Sequence, residues 1–168
     1  FLELAKKDLA FRHESPVIWD TQFQTAIAQA ELVDKEMPSF FNDVLFKTED
    51  GKDLIIATTR PELLGACVAV FVHPEDKKYE HLVGKKVVTP IYNHKVPVIA
   101  NERVDMEKGT GVVMCCTFGD QTDMEWYKQY KLPLKMVITP WGKMNESSGE
   151  YKGMKIEDAR KAIIEELK

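Results

Sequence analysis

Cysteine is scarce in this chain: three residues in 168, at Cys67, Cys115 and Cys116. An odd count with a vicinal pair argues against a disulfide framework and for a reducing compartment, so a cytoplasmic location is expected. Adjacent strand residues face opposite sides, which makes Cys115 and Cys116 poor joint metal ligands. The four histidines (His13, His73, His81, His94) have no metal-ligand spacing either, and no metal site is expected. No apolar run approaches the roughly 18 residues of a membrane span. Phe1-Leu2-Glu3-Leu4-Ala5-Lys6-Lys7-Asp8 mixes charge with apolar residues where a signal peptide would need an apolar stretch. No membrane partner is expected. Positive charge is not in excess: 23 Lys and Arg stand against 27 Asp and Glu, a net charge of −4. That excludes a broad duplex-binding surface but leaves room for a grip on a few nucleotides at a strand end. There is no internal repeat and no low-complexity tract. With Phe1 in place of an initiator Met, a piece excised from a longer chain is expected.

The pattern that is present is mostly that of short strands. Residues 1–11 read as a short amphipathic helix with Leu2, Ala5 and Leu9 on one stripe. Pro16 to Trp19 reads as extended, and residues 25–37 fit strand or helix. From residue 40 the punctuation is β-rich. Strands are expected at 40–48 and 53–59, joined by the Glu49-Asp50-Gly51 turn, then at 66–72, 86–92, 95–100, 112–116 and 134–139. Pro61 opens a helical turn, a short helix is expected over 74–84, another from about Asp120 to Lys131, and a last one from Lys155 with Ile156, Ala159, Ile163 and Leu167 in a stripe. Strands at about ten-residue intervals with brief helices between them imply an α+β fold. The expectation is a closed or nearly closed β-barrel with short peripheral helices and helical terminal segments. It is drawn as one domain over 1–168, with the core barrel at about 40–140 and flanks at 1–39 and 141–168.

Two stretches carry polar groups where buried strands end. In the first, Gly109-Thr110-Gly111 leads into the apolar Val112 to Cys116, then a polar elbow from Thr117, then a helix start with Asp120 and Asp123 three residues apart. On a helix both carboxylates would point the same way. An N-cap and a first-turn acid answering the helix dipole explain them equally well. In the second, Leu54 to Ala57 ends in Thr58, Thr59 and Arg60 before Pro61. Two hydroxyls and a guanidinium at a strand end suit a carbonyl, a ribose hydroxyl or a phosphate, although β-forming threonines and a solvated arginine would read the same.

Taken together, the motifs resemble a known family, the editing domain inserted in the class I aminoacyl-tRNA synthetases for valine, isoleucine and leucine. The resemblance runs through Ala57-Thr58-Thr59-Arg60-Pro61-Glu62, Val70-Phe71-Val72-His73-Pro74-Glu75-Asp76-Lys77-Lys78-Tyr79, Leu82-Val83-Gly84-Lys85, Val96-Pro97-Val98-Ile99-Ala100, Val104 to Gly111, and Gly119-Asp120-Gln121-Thr122-Asp123. Each motif is weak alone, and the ordered succession is specific. It is most similar to the valyl branch, archaeal type. Isoleucyl relatives carry Thr-Pro-Trp in place of Thr59-Arg60-Pro61, and leucyl relatives lack the run from His73 to Asp76. No His-Ile-Gly-His or Lys-Met-Ser-Lys-Ser signature is present, so amino-acid activation, and with it ATP, would belong to a parent synthetase. No cofactor is implied for this domain.

The resemblance implies hydrolysis of mischarged threonyl-tRNA(Val). A pocket for valine cannot strongly reject isosteric threonine; the valyl synthetase is itself the standard illustration, with discrimination of about 10². Asp123 would anchor the substrate ammonium, and Asp120 would hold polar groups or orient water. Thr58, Thr59 and Arg60 would fix the terminal adenosine and the ester. Gly109, Thr110 and Gly111 would let backbone approach the adenine, with Cys116 and Thr117 also at the substrate. No side-chain nucleophile is expected; water would attack, assisted by a hydroxyl of the terminal ribose. Partners would be the 3′ end of tRNA(Val) carrying threonine and the rest of the parent synthetase. Where relatives carry threonine, lysine, threonine and a Cys-x-x-Cys zinc knuckle, this chain has Leu63, Met114, Cys116 and the pair Asp20 and Phe23. Recognition of the threonine hydroxyl then falls to Thr117, Thr122 or backbone, and no zinc is implied. Isoleucyl-type editing of valyl-tRNA(Ile) and a non-catalytic tRNA 3′-end-binding barrel are the alternatives.

Overall fold

A computed structural model of the chain describes residues 1–12, 15–33 and 35–168; His13 lies outside the described residues. The chain divides into two compact units, 1–33 and 34–168.

In the first unit, helix α1 (Leu2–Lys6) is shorter than the expected 1–11 and buries none of its residues. Asp8 at φ 54° takes the chain out of helical geometry. Strands β1 (Ile18–Asp20) and β2 (Thr25–Ile27) pair antiparallel with Trp19 opposite Ala26. Asp20 closes their turn itself, since its Oδ1 accepts the N–H groups of Gln22 and Phe23, each at 2.7 Å. The ambiguous stretch 25–37 thus opens as a strand and continues into a single 3₁₀ turn, Gln29–Glu31.

The second unit is built on a six-stranded sheet. It comprises β3 (Asn42–Thr48), β4 (Asp53–Thr58), β5 (Cys67–Val72), β6 (Lys86–Val88), β7 (Lys95–Ala100) and β8 (Val112–Cys116), in the order β4-β3-β6-β7-β5-β8. Its outer strands β4 and β8 come back alongside one another, so the sheet curls into the nearly closed barrel that the strand spacing implied. Period-2 alternation sets the inward faces: Val44 and Phe46 on β3, Leu54 and Ile56 on β4, Cys67, Val70 and Val72 on β5, and Val112 and Cys116 on β8 join one core. A bulge between Cys67 and Ala69 shifts the phase on β5. Val68, Ala69 and Phe71 therefore face outward with Cys115 into a second core, roofed by helix α2 (Gln121–Tyr130) through Trp126. Cys115 and Cys116 do face opposite sides. The closing helix α3 (Ile156–Glu166) seats Ala159 and Ile163 in the barrel core.

Three expectations are corrected. Residues 74–84 are turns with one 3₁₀ turn, Glu80–Leu82, because the Asp76 side chain takes the Lys78 N–H at 3.0 Å and competes with helical bonding. The strand begun at Lys86 stops at Val88, where Thr89 turns the chain by exchanging bonds with His94 and Pro90 has no N–H to give. Residues 134–139 form no strand, only a bridge between Ile138 and Met144; the Lys135 N–H is instead spent on the Thr117 hydroxyl at 2.8 Å.

Phe71 is fully buried and stacks on Trp126 with ring centroids 4.0 Å apart. Phe71→Ala is expected to cost about 3–5 kcal/mol, whereas Phe23→Ala, at a site 76% exposed, should stay within about 0.5 kcal/mol. Urea midpoints of the two variants measure both.

Candidate active site at the barrel mouth

The pairings fix where strand ends lie. β3 runs antiparallel to both β4 and β6, β6 antiparallel to β7, β7 parallel to β5, and β5 antiparallel to β8. Hence β4 and β8 point the same way, and the turn after Thr58 leaves the barrel at the same end as the elbow after Cys116. They meet: Arg60 Nη1 donates to the Gly119 carbonyl at 2.7 Å.

Arg60 is held from three sides. Its own N–H donates to the Thr58 hydroxyl at 3.1 Å, which closes the turn. Pro61, at the first position of the 3₁₀ helix Pro61–Ala66, presets the backbone. Arg60 Nε donates to Glu62 Oε1 at 3.2 Å. Glu62 is entirely buried, and a buried carboxylate needs pairing. Arg160 of α3 supplies it in a two-bond fork, Nε to Oε2 and Nη2 to Oε1, both at 2.8 Å.

Asp123 takes the other backbone group of Gly119. Asp120 is the exposed N-cap of α2, extended at φ −151°, and its Oδ1 accepts the Asp123 N–H at 2.9 Å. Asp120 thus stands just outside the helix as its cap, and the capping reading of Asp120 holds. Asp123 lies three residues before Trp126, on the face that α2 turns to the sheet, and is 6% exposed. Its Oδ2 accepts the Gly119 N–H at 3.0 Å. Burial, and next the charge of Asp120, push the Asp123 carboxyl up to about 6, against the lowering effect of the Cys115 thiol and the Gly119 and Cys116 N–H groups. A side chain on Gly119 would place Cβ 2.4 Å from Asp123 Oδ2 and 3.3 Å from Leu63 Cδ1. Only glycine lets the carboxylate settle over the elbow.

The other expected site residues are placed as follows. Thr59 is half-buried in the turn beside Arg60. Gly109, at φ 61°, runs so close to β4 that a Cβ would meet that of Ala57 at 2.9 Å, which brings this loop to the β4 end. Thr110 keeps a buried hydroxyl with no hydrogen-bond partner, while its carbonyl accepts from Tyr79 Oη at 3.2 Å. Gly111 packs on the Met106 carbonyl. The Cys116 side chain lies in the barrel core with Cys67, where burial raises its thiol far above the ordinary range, and only its backbone reaches the elbow and Asp123. Thr117 is buried as well, its hydroxyl donating to the Lys135 carbonyl at 2.9 Å and accepting the Lys135 N–H at 2.8 Å. That hydroxyl anchors the elbow and is committed. Among the described residues, no group of His, Cys, Asp and Glu could hold a metal ion. Sequence reasoning assigned no role to Gly119, Glu62 or Arg160. A glycine just before two acids was the available signal for Gly119, and nothing local pointed to Arg160.

The raised Asp123 pKa fixes two signs. The carboxyl ionises near 3.8 when unfolded and near 6 when folded, so the native state holds the extra proton between these values. Stability therefore falls as pH rises through that window, by about 2–3 kcal/mol. Asp123→Asn should raise the thermal midpoint at pH 7.5 and have little effect near pH 4. An unchanged midpoint at pH 7.5 would count against burial of the charged form. Gly119→Ala should displace the Asp123 carboxylate and remove the titration near pH 6, as followed by carboxyl NMR.

The profile of the family described as leucyl-tRNA synthetase, editing domain, matches residues 72–168. The valine–tRNA ligase of Rickettsia akari (strain Hartford) is 53% identical over 169 residues, covering 100% of this chain and 21% of that protein. The valine–tRNA ligase of the archaeon Haloarcula marismortui is 48% identical over 176 residues, covering 100% of this chain and 20% of its own length. The chain thus spans about a fifth of these curated relatives. Among solved structures, the LeuRS–tRNA–LeuAMS ternary complex of Agrobacterium radiobacter K84 superposes with a TM-score of 0.62 at 20% identity, over 77% of this chain and 19% of that one, a likeness of fold. With the profile spanning more than half its residues, the chain belongs to the editing-domain family of the aminoacyl-tRNA synthetases.

Proposed function

We propose that the chain is a post-transfer editing hydrolase that deacylates threonyl-tRNA(Val) by attack of water on the aminoacyl ester, as the proofreading part of a cytoplasmic valine–tRNA ligase. One observation carries the reading: Asp123, a carboxylate buried at the barrel mouth, accepts the Gly119 N–H, while Arg60, from a separate strand end, donates to the Gly119 carbonyl. A carboxylate kept in a desolvated site needs a cation, and the α-ammonium of an aminoacyl ester is one. Arg60, its side chain 39% exposed, offers the remaining part of its guanidinium to the terminal nucleotide's phosphate. Thr59 and the Gly109–Gly111 loop, drawn to the β4 end beside Ala57, line the adenosine side.

The thiols do not serve as nucleophiles. Cys67, Cys115 and Cys116 are all buried, and burial raises Cys115 and Cys116 away from the thiolate. Nor is His94 poised as a base for them: its Nε2 engages the Cys67 carbonyl at 2.9 Å, and Lys135 Nζ sits 3.1 Å from its Nδ1. Water therefore adds to the ester carbonyl, and the tetrahedral intermediate expels the ribose oxygen. The water proton ends on that oxygen, with a neighbouring ribose hydroxyl as relay. The domain contributes positioning and charge. With the Thr117 hydroxyl committed to Lys135 and Leu63 forming an apolar wall beside Gly119, discrimination for threonine falls to Thr122 or to backbone groups. Valyl-type relatives at about half identity along the whole chain support tRNA(Val) as the carrier.

Deacylation of threonyl-tRNA(Val), valyl-tRNA(Val) and valyl-tRNA(Ile) tests this. Release of threonine alone is expected, slowed about 10²-fold or more by Asp123→Ala. KM should fall as pH rises through about 6, where Asp123 ionises. Rapid release of valine from tRNA(Ile) would assign the isoleucyl variant instead. Retained tRNA binding with every ester intact would make the domain a 3′-end-binding barrel.

A further inference from the structure

We propose that Arg160, on the C-terminal helix α3, is a positioning residue of the editing site: by saturating Glu62 it keeps Arg60 on the Gly119 carbonyl. The inference rests on the hydrolase reading for its kinetic consequence, but not for its geometric one.

An unbroken set of polar contacts joins α3 to the elbow. Arg160 grips both oxygens of the buried Glu62 carboxylate at 2.8 Å, leaving Arg60 a single bond to it, Nε to Oε1 at 3.2 Å. That one-bond arrangement frees Arg60 Nη1 for the Gly119 carbonyl at 2.7 Å. Gly119 in turn offers its N–H to Cys116 O at 2.8 Å and to Asp123 Oδ2 at 3.0 Å. A carboxylate has room for a two-bond fork from one guanidinium. Were Arg160 withdrawn, Glu62 would be buried with Arg60 as its sole partner, and closing a fork on it would satisfy the unpaired oxygen best. Such a fork rotates the guanidinium away from Gly119. The elbow then loses its tether to the β4 end, and the substrate phosphate loses its cation. Arg60 and Arg160 each keep 39% of their side chain exposed while Glu62 is wholly buried, so the layout fixes the direction of two guanidiniums around one desolvated carboxylate. The sequence separation of 98 between Glu62 and Arg160 makes α3 a remote support for the mouth.

The decisive variant is Arg160→Lys, which keeps the charge but cannot fork. Arg60→Met, alone and combined with it, completes the cycle. Two measurements are made on the folded chain: hydrogen exchange at the Gly119 amide, which needs no substrate, and KM and kcat for threonyl-tRNA(Val). In Arg160→Lys we expect a thermal midpoint within about 3 °C of wild type, Gly119 exchange faster by about tenfold, and KM raised about tenfold with kcat nearly unchanged. Arg60→Met should reproduce the KM rise, and Arg160→Lys should add nothing to it. Unchanged Gly119 exchange and KM in folded Arg160→Lys, or independent losses in the double variant, would overturn the proposal and leave Arg160 a tether for α3. If Arg160→Lys does not fold, Arg160→Gln is read by the same two measurements. If wild type releases no amino acid from any mischarged tRNA, the hydrolase reading fails, and Gly119 exchange alone decides the role of Arg160.

Discussion

The architecture of the mouth turns on keeping an ionisable carboxylate where water is excluded. Asp123 sits between Trp126, which pins α2 to the outer core, and an elbow that gives it an N–H. Burial opposes its charge, and the donors around it only partly offset that. A folded chain tolerates such a group when something else is gained. What stands there is a buried carboxylate at the end of an otherwise apolar barrel, the group with which the proposed substrate ammonium would pair. Glycine at position 119 is the steric condition for it, because any side chain would occupy the space of the carboxylate.

Around this point the barrel does one geometric task. An even relation between β4 and β8, reached through four antiparallel pairings and one parallel pairing, makes both strands end at the same rim. The bulge on β5 then divides its side chains between two cores, so the same sheet can hold α3 against the interior and α2 against the exterior. Each helix brings one charged side chain to the rim: α2 brings Asp123, and α3 brings Arg160 to Glu62 and so to Arg60. Loops carry the chemistry while the packed layers determine where those loops stand.

Much of this was legible in the sequence because it rests on local period. The alternation Val44, Phe46 and Leu54, Ile56 announced the first hairpin, the apolar run into Val72 announced a strand buried on both faces, and Asp120 before Trp126 announced a capped helix start. Motif order in the sequence links the turn at Arg60 with the elbow before Asp123, and in the fold Arg60 bonds the carbonyl of Gly119 in that elbow. What escaped was decided by partners distant in the chain. Leu134 to Thr139 has strand composition, yet Lys135 bonds a side chain, Thr117, and no strand lies alongside. Thr117 looked available and is spent on that same bond. Cys116 looked like a ligand-facing residue, but the inward phase of β8 sends it to the core. Residues 74–84 have helix-forming composition, but the Asp76 side chain takes the Lys78 N–H and competes with helical bonding. Glu62 and Arg160 carry no mutual signal in sequence because only the packing of α3 on the Pro61–Ala66 turn makes them neighbours.

The most direct test of the central claim is a structure of the chain with a non-hydrolysable threonyl-adenosine analogue bound. The analogue's ammonium is expected on the Asp123 carboxylate at about 3 Å, with its adenosine between Arg60 and the Gly109–Gly111 loop. An analogue seated elsewhere on the barrel, or one at the mouth with its ammonium turned to solvent and Asp123 still bonded only to Gly119 and its neighbours, would contradict it.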